Sequence, residues 1–489
     1  MVFPIAGGTQ SDAYEIGNSL RIVPAASAYL SRTPGSEGNR RTFTISGWVK
    51  RSNPNTSSVI FGAGHTSAQN MFQLLFQNDG GSNSIIVQDR VSNTNNLNLV
   101  TERKFADNAA WYNFVLAVDT TQGTASNRVK LYVNGTQETS FSTETYMDQN
   151  YDTHVNDDVA QHVGAQSKGG VGDHFDGYLA DFNLVDGTAL DPSYFGKTDT
   201  NGIWIPKKPS VASYGTNGIF LEFGSGTGTS ANSSGIGADT SGNDNHFAAN
   251  SMGATEITTD TPTNNFATLD FNTTGSAQPV LRHGNTQQYS HGTANSAAVA
   301  ATIMPDAGKW YIELQLESPS GGDYPFFGIT DNLNLNQQDG SSAGDNGSKM
   351  AAGFEIDGVT NNQSTTLLGT ITNTNTGWPS FSDGDIVQFA LDLDNRKLWI
   401  GRNGTYINSG DPANGTNQQL SWTLSTQVSV VMLGYDGGGG GGAQSKWNYG
   451  NPAFSISSSN ADANGFGNFE YAVPSGYFAL CTKNLAEIS

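Results

Sequence analysis

The 489-residue sequence predicts an all-β chain folded as two antiparallel β-sandwiches in tandem. Three observations predict it. Two strand-and-hairpin signatures lie far apart, WYNFVLAVDTTQGTASNRVKLYVNG from Trp111 to Gly135 and GDIVQFALDLDNRKLWIGRNG from Gly384 to Gly404. Each is an alternating strand, a polar turn and a second strand ending in Asn-Gly, a strong hairpin signal. Helical periodicity nowhere exceeds two turns. Finally, Gly (59 residues) and abundant Asn, Ser and Thr accompany 8 Trp, 17 Tyr and 25 Phe, the profile of short patterned strands joined by polar loops rather than of disorder.

Taken in order, Arg41–Lys50 (RTFTISGWVK) reads as a strand with Phe43, Ile45, Gly47 and Val49 on one face. Val59–Phe61, Met71–Phe76 and Ser84–Gln88 continue the series. In the Trp111 hairpin, Tyr112, Phe114, Leu116 and Val118 share a face, as do Val129, Leu131 and Val133 on the return strand. Gly177–Val185 follows, closed by the turn Asp186-Gly187, and Asp191-Pro192 starts another turn. Ile203–Ser210 and the strand Gly218–Phe223 complete the first half. The Gly-, Ser- and Asn-rich stretch that follows reads as a connector.

The second half opens with Trp310–Glu317, whose Trp310, Ile312, Leu314 and Leu316 point inward. Phe326–Thr330, Met350–Ile356, Ile386–Leu393, Lys397–Gly401 and Val428–Tyr435 follow. In Ile386–Leu393, Val387, Phe389, Leu391 and Leu393 form the apolar face. Gly437–Gly442 is a run of glycines that reads as an exposed loop tip. The expected divisions are an N-terminal segment at 1–40 (a candidate attachment arm), a first sandwich at 41–223, a connector at 224–275 and a second sandwich at 276–489.

The formal charge of −21, from 44 acidic and 23 basic residues, argues against nucleic-acid and anionic-membrane partners, which need clustered Lys and Arg. The basic clusters Arg40-Arg41 with Lys50-Arg51, and Lys207-Lys208, read as solvated charge at loops and strand ends. The single cysteine, Cys481, flanked by Phe478, Ala479 and Leu480, reads as a small buried thiol. The start MVFPIAGGTQ lacks a basic region followed by an apolar run, so no secretory signal is expected, and no stretch reaches the roughly 20 apolar residues of a membrane-spanning helix.

Residues from about 40 to 200 resemble a laminin-G-like, concanavalin-type jelly roll, on FTISGWVK, the W-Y-x-F-V strand through LYVNG, and FDGYLADFNLVDGTAL before Asp191-Pro192. Residues from about 276 to 485 resemble a SPRY (B30.2-like) sandwich, on KWYIELQLE, FFGIT, the Gly384 hairpin and VVMLGY. The joints GIGADTSGNDNHF and DTPTNNFATLD and the closing YAVPSGYFALCTKNL resemble those of virion-associated proteins of tailed bacteriophages, particularly marine ones. The resemblance implies a virion structural protein: a tail fibre, spike or fibre-like appendage, or a capsid or tail decoration protein with architectural contacts only. It implies assembly in the host cytoplasm, other virion proteins as partners, a homo-oligomer, and a host surface glycan or receptor as the target of an adhesin.

Enzymatic motifs are not evident. A glycosidase strand motif E-x-D-x-x-E begins at Glu355-Ile356-Asp357 but has Thr360 where the acid belongs, and a depolymerase would need two carboxylates roughly 5–10 Å apart. Asp392 and Asp394 read as hairpin caps. No G-x-S-x-G or H-E-x-x-H occurs, and His154, His162 and His174 read as structural or solvated. No catalytic residue and no required cofactor is expected. Jelly rolls of the resembled kind bind calcium at a loop rim, so Asp152, Asp157, Asp158 and Asp173 are the candidate metal ligands. Trp378, Tyr435, Trp447 and Tyr449, in or beside Gly- and Asn-rich segments, are the candidate stacking residues for a sugar; the alternative is that they plug the ends of the sandwich.

Overall fold

The computed structural model describes residues 14–65, 69–78, 81–271, 280–289, 297–317, 324–330, 352–355, 363–365, 379, 381–422, 427–435 and 444–488. The chain forms two compact units that divide between Thr263 and Asn264. Each is built on two large β-sheets, to which the first unit adds two short two-stranded ones, and the described residues hold a single α-helix, Thr482–Ile488.

In the first unit, one sheet runs edge to edge through Thr136–Gln137, Val129–Val133, Trp111–Asp119, Thr42–Arg51, Gly177–Asp186, Ser19–Ile22 and Ile257–Thr258. Ile219–Leu221 also pairs with Gly177–Asp186. The facing sheet runs through Phe141–Thr145, Thr94–Thr101, Ser84–Val91, Met71–Gln77, Ser58–Gly64, Ala160–Val163, Tyr29–Arg32 and Ala248–Asn250. Alternation explains the packing. Phe43, Ile45 and Val49 meet Phe114, Leu116 and Val118 on the inner face of one sheet, against Phe72, Leu74, Ile85, Val87, Leu97 and Leu99 of the other. Each such buried side chain stabilises the unit by about 1.5–3 kcal/mol relative to exposure.

The expected connector begins too early. Ile236, Phe247, Ala249 and Met252 lie in the first core, Ala248–Asn250 pairs with Tyr29–Arg32, and Ile257–Thr258 pairs with Ser19–Ile22. Residues 224–263 therefore complete the first sandwich. The candidate arm is corrected likewise: its described part, 14–40, supplies two core strands. Residues 1–13 lie outside the described set.

In the second unit, one sheet runs through Val280–Arg282, Gln287–Tyr289, Gln444–Asn448, Lys309–Glu317, Ile386–Asp392, Lys397–Arg402 and Thr405–Tyr406. The other runs through Ala297–Ala298, Ser429–Tyr435, Tyr324–Thr330, Ala352–Glu355 and Gln363–Thr365. Trp310, Ile312 and Leu314 lie beside Leu391, Phe389 and Val387 of the paired strand, and with Leu316 they line the inner face of this sheet. Asp392 accepts from Asn395 N and Asp394 from Gly308 N, so both cap the turn region. Glu313 is buried and accepts from Tyr311 Oη, Asn448 Nδ2 and the Glu470 and Tyr471 amides, which ties the late loop to the sheet. Cys481 is fully buried. The glycine run and Asp357 fall outside the described residues.

Candidate functional site

The loop Thr33–Arg41 (TPGSEGNRR) turns tightly on its own side chains. Asn39 Oδ1 accepts from the amides of Arg41 (3.0 Å) and Thr42 (2.8 Å), an Asx turn that starts the central strand Thr42–Arg51. Beneath it lies Asp186, buried at the end of Gly177–Asp186. Its carboxylate accepts from Asn39 N at 2.7 Å, Asn156 Nδ2 at 3.1 Å and Asn217 N at 2.9 Å. A methyl at Gly38 would come within 2.2 Å of Asp186 Oδ2, so only glycine lets this loop settle there.

Above this anchored floor is an open cleft of about 640 Å³, lined by Glu37, Gly38, Asn39, Arg40, Arg41, Asp152, Asp186, Gly187, Gly215 and Thr216. Its wall is polar and charged. Arg41 meets Asp152 through two parallel bonds, Nε–Oδ1 at 2.7 Å and Nη2–Oδ2 at 3.0 Å, with both side chains nearly half exposed. Hydrogen bonding from the Arg41 guanidinium holds the Asp152 carboxyl below its ordinary range. Arg40 reaches the other way: Nε donates to Thr153 O, Nη1 lies 3.4 Å from Glu37 and Nη2 lies 2.9 Å from Asp157.

Two of the four acidic candidates for metal are brought together. Asp157 and Asp158, with Glu37, place one carboxylate oxygen each within 4.8 Å of one another. Asp157 is buried and the other two are exposed. Asp152 is at the cleft but bound to Arg41, and Asp173 sits exposed on a separate turn with φ 44°. Three oxygens are fewer than the six to eight that calcium takes, and the Arg40 guanidinium already faces the group. Glu37 was not singled out from sequence; its signal was its place in a Gly-flanked loop beside two arginines.

The aromatic candidates fare differently. Trp447 and Tyr449 are 0% and 1% exposed and stack on one another at 5.7 Å, with Trp447 also stacked on Phe389 at 6.2 Å. They are core residues and offer no ring face to a sugar, which corrects the expectation. Tyr435 ends the strand Ser429–Tyr435, and Trp378 lies outside the described residues. The basic cluster is corrected in part. Arg40 and Arg41 are surface groups, but Lys50 and Arg51 are each 1% exposed. Arg51 donates to the carbonyls of Pro54, Thr56 and Phe105 and to Asn83 Oδ1, so it organises a loop from within. His154 is buried on Asp89 at 3.1 Å, and His162 Nδ1 contacts Gln166 O at 2.9 Å.

Residues 25–193 match the family profile described as the concanavalin A-like lectin/glucanases superfamily, of laminin-G type. The first unit thus carries a laminin-G-like, concanavalin-like domain. No match is found among curated proteins. Among solved structures, the chain is similar to mouse laminin α1 domains LG4-5 (11% identity, 88% of this chain and 85% of that one, TM-score 0.28). It is similar to the CBM40 of a Ruminococcus gnavus IT-sialidase (16%, 33% and 94%, TM-score 0.26) and to the SPRY domain of human HERC1 (13%, 33% and 87%, TM-score 0.24). At these scores the structural likenesses assign no role to the chain.

Proposed function

We propose that this chain is a non-enzymatic adhesin, a virion structural protein of the tail-fibre or spike kind whose loops contact a glycan or protein on a host surface. The observation that carries the binding part is the cleft at the Thr33–Arg41 loop. It sets an exposed, two-point Arg41–Asp152 pair beside Asn39 and Thr216 on a floor fixed by Asp186. Such a wall offers paired donors and acceptors to the hydroxyls of a sugar, and a guanidinium to any carboxylate it carries. The virion part is supported by the resemblance of the joints and the closing segment to phage virion proteins. Many copies on one particle would raise weak single-site affinity through effective concentration.

A structure of the intact virion with this chain placed in it tests the reading. The adhesin reading expects the Arg41–Asp152 loops on the outward surface. Those loops packed against capsid or tail subunits would make the protein architectural instead.

A further inference from the structure

Lys50 and Asp260 form a pair unlike any other in the described residues. Lys50 Nζ lies 2.5 Å from Asp260 Oδ2, with the side chains 1% and 0% exposed. Lys50 stands in a row across the sheet, directly opposite Trp111 on one neighbouring strand and Tyr178 on the other. Its Nζ lies over both rings, 6.0 Å and 5.0 Å from their centroids. Asp260 lies on the strap that ends the first unit. The strap is fixed before it reaches Lys50: Ser19 Oγ bonds to Thr258 Oγ1 at 2.7 Å and to Asp260 O at 2.6 Å, and Arg21 Nη2 donates to Thr255 O at 2.6 Å.

We infer that Lys50 and Asp260 condense to an intramolecular isopeptide bond, a covalent tie between the central strand and the closing strap. Four features of the geometry favour it. An ammonium and a carboxylate both removed from water lose most of their hydration, so the neutral amine–carboxylic acid form of the pair is favoured over what it would be at the surface. Burial accordingly drives Lys50 toward its neutral form, against the pull of Asp260 and of the exposed Asp107. Nζ is held at hydrogen-bond distance from a carboxylate oxygen of Asp260, so amine and carboxyl are brought together by the fold rather than by chance encounter. The Trp111 Nε1–H points at the other oxygen, Oδ1, at 3.3 Å, where it stabilises negative charge as the carbonyl is attacked. The enclosure also keeps bulk water from reversing the step.

The step balances without a co-reactant. One proton passes from the Lys50 ammonium to Asp260 Oδ2. The Nζ lone pair bonds to Cγ, the Cγ–Oδ2 bond breaks, and Oδ2 leaves as water with a second proton from Nζ. The amide keeps the last Nζ proton and Oδ1 as its carbonyl, still facing Trp111. Nothing is oxidised or reduced.

The test is the intact mass of the purified full chain under denaturing conditions, followed by a protease digest read by tandem mass spectrometry. The expected result is a mass one water below that of the sequence and a branched peptide joining the segments of Lys50 and Asp260. Asp260→Ala should restore the full sequence mass and abolish the branch. Asp260→Asn, if it condenses, should lose ammonia in place of water. Because the mass is read on denatured protein, a poorly folding variant does not obscure the wild-type result. A wild-type mass equal to that of the sequence, or a water loss with no Lys50–Asp260 branch, overturns the proposal and leaves a buried ion pair.

Discussion

Arg41 and Asp152, 111 positions apart in sequence, close on one another in a parallel two-point ion pair at the mouth of the first unit's cleft. The loop behind Arg41 is fixed by Asn39 and Asp186, so the pair presents a set geometry on a surface that remains open to solvent. Exposed pairs contribute little to folding. Arg41→Ala and Asp152→Ala should therefore leave the melting temperature within error of wild type, as read by calorimetry. A marked drop in either would mean that the pair is structural.

Gly38 is a different case. Its missing side chain is what allows the loop to rest on Asp186 Oδ2. Gly38→Ala should destabilise the first unit by roughly 1–3 kcal/mol, the usual cost of forced overpacking. Chemical denaturation measures this directly, and a variant as stable as wild type would show that the loop relaxes freely.

Arg40 stands where a cation would neutralise Asp157 and Glu37. Wild-type protein should gain no thermal stability from calcium beyond what ionic strength explains. Arg40→Ala should gain it, because the freed carboxylates of Glu37, Asp157 and Asp158 then accept the ion, with water filling the rest of its coordination shell. A calcium-dependent rise in wild type, abolished by chelator, would show that the ion displaces or joins the guanidinium.

Asp181 sits in a bulge of Gly177–Asp186 at φ 45°, almost fully buried. Burial pushes its carboxyl up to about 7; the Tyr14 hydrogen bond opposes the rise and Glu222 adds to it. Tyr214 also faces this group. The folded state then holds a proton that the unfolded state has released, from about pH 4 to about 7. The contribution to stability is full below pH 4 and is lost as pH rises through about 7. Asp181→Asn should flatten that part of the melting-temperature profile. A slope unchanged by the substitution would assign the pH dependence to other groups.

Cys481 is buried beside Phe266 and Tyr477, and burial pushes its thiol up to about 12. It should resist thiol reagents in native buffer and react at once in denaturant. Rapid labelling of native protein would contradict the burial.

Much of the fold was legible because strand periodicity is local. Phe43, Ile45 and Val49, and Trp310 through Leu316, declare their inner faces by alternation alone. The strand Thr94–Thr101 was missed because Asn95, Asn96 and Asn98 surround its two core leucines, Leu97 and Leu99, and Asn disfavours strands. Lys50 reads as a solvated strand end in the sequence because its burial depends on a strap 210 residues downstream. No local pattern carries that contact. Trp447 and Tyr449 were misplaced for the opposite reason. Their Gly- and Asn-rich neighbours suggested a loop, while their spacing of two, on and just beyond the strand Gln444–Asn448, held the truer signal.

The cleft shows the same limit. Asp157 and Asp158 stood out as acids, yet Glu37 and Arg40 join them only through loops brought together by the sandwich. The cleft is a product of topology, and its residues are scattered along the sequence.

The most direct test of the central claim is binding of the fluorescently labelled, multivalently displayed full chain to a glycan array, with Arg41→Ala displayed in parallel. The account predicts retention on a defined set of glycans and a loss of about tenfold or more in Arg41→Ala, the weight of a charge-assisted two-point contact. Retention that Arg41→Ala leaves intact, or no retention on any glycan, would contradict a glycan-binding role for the cleft.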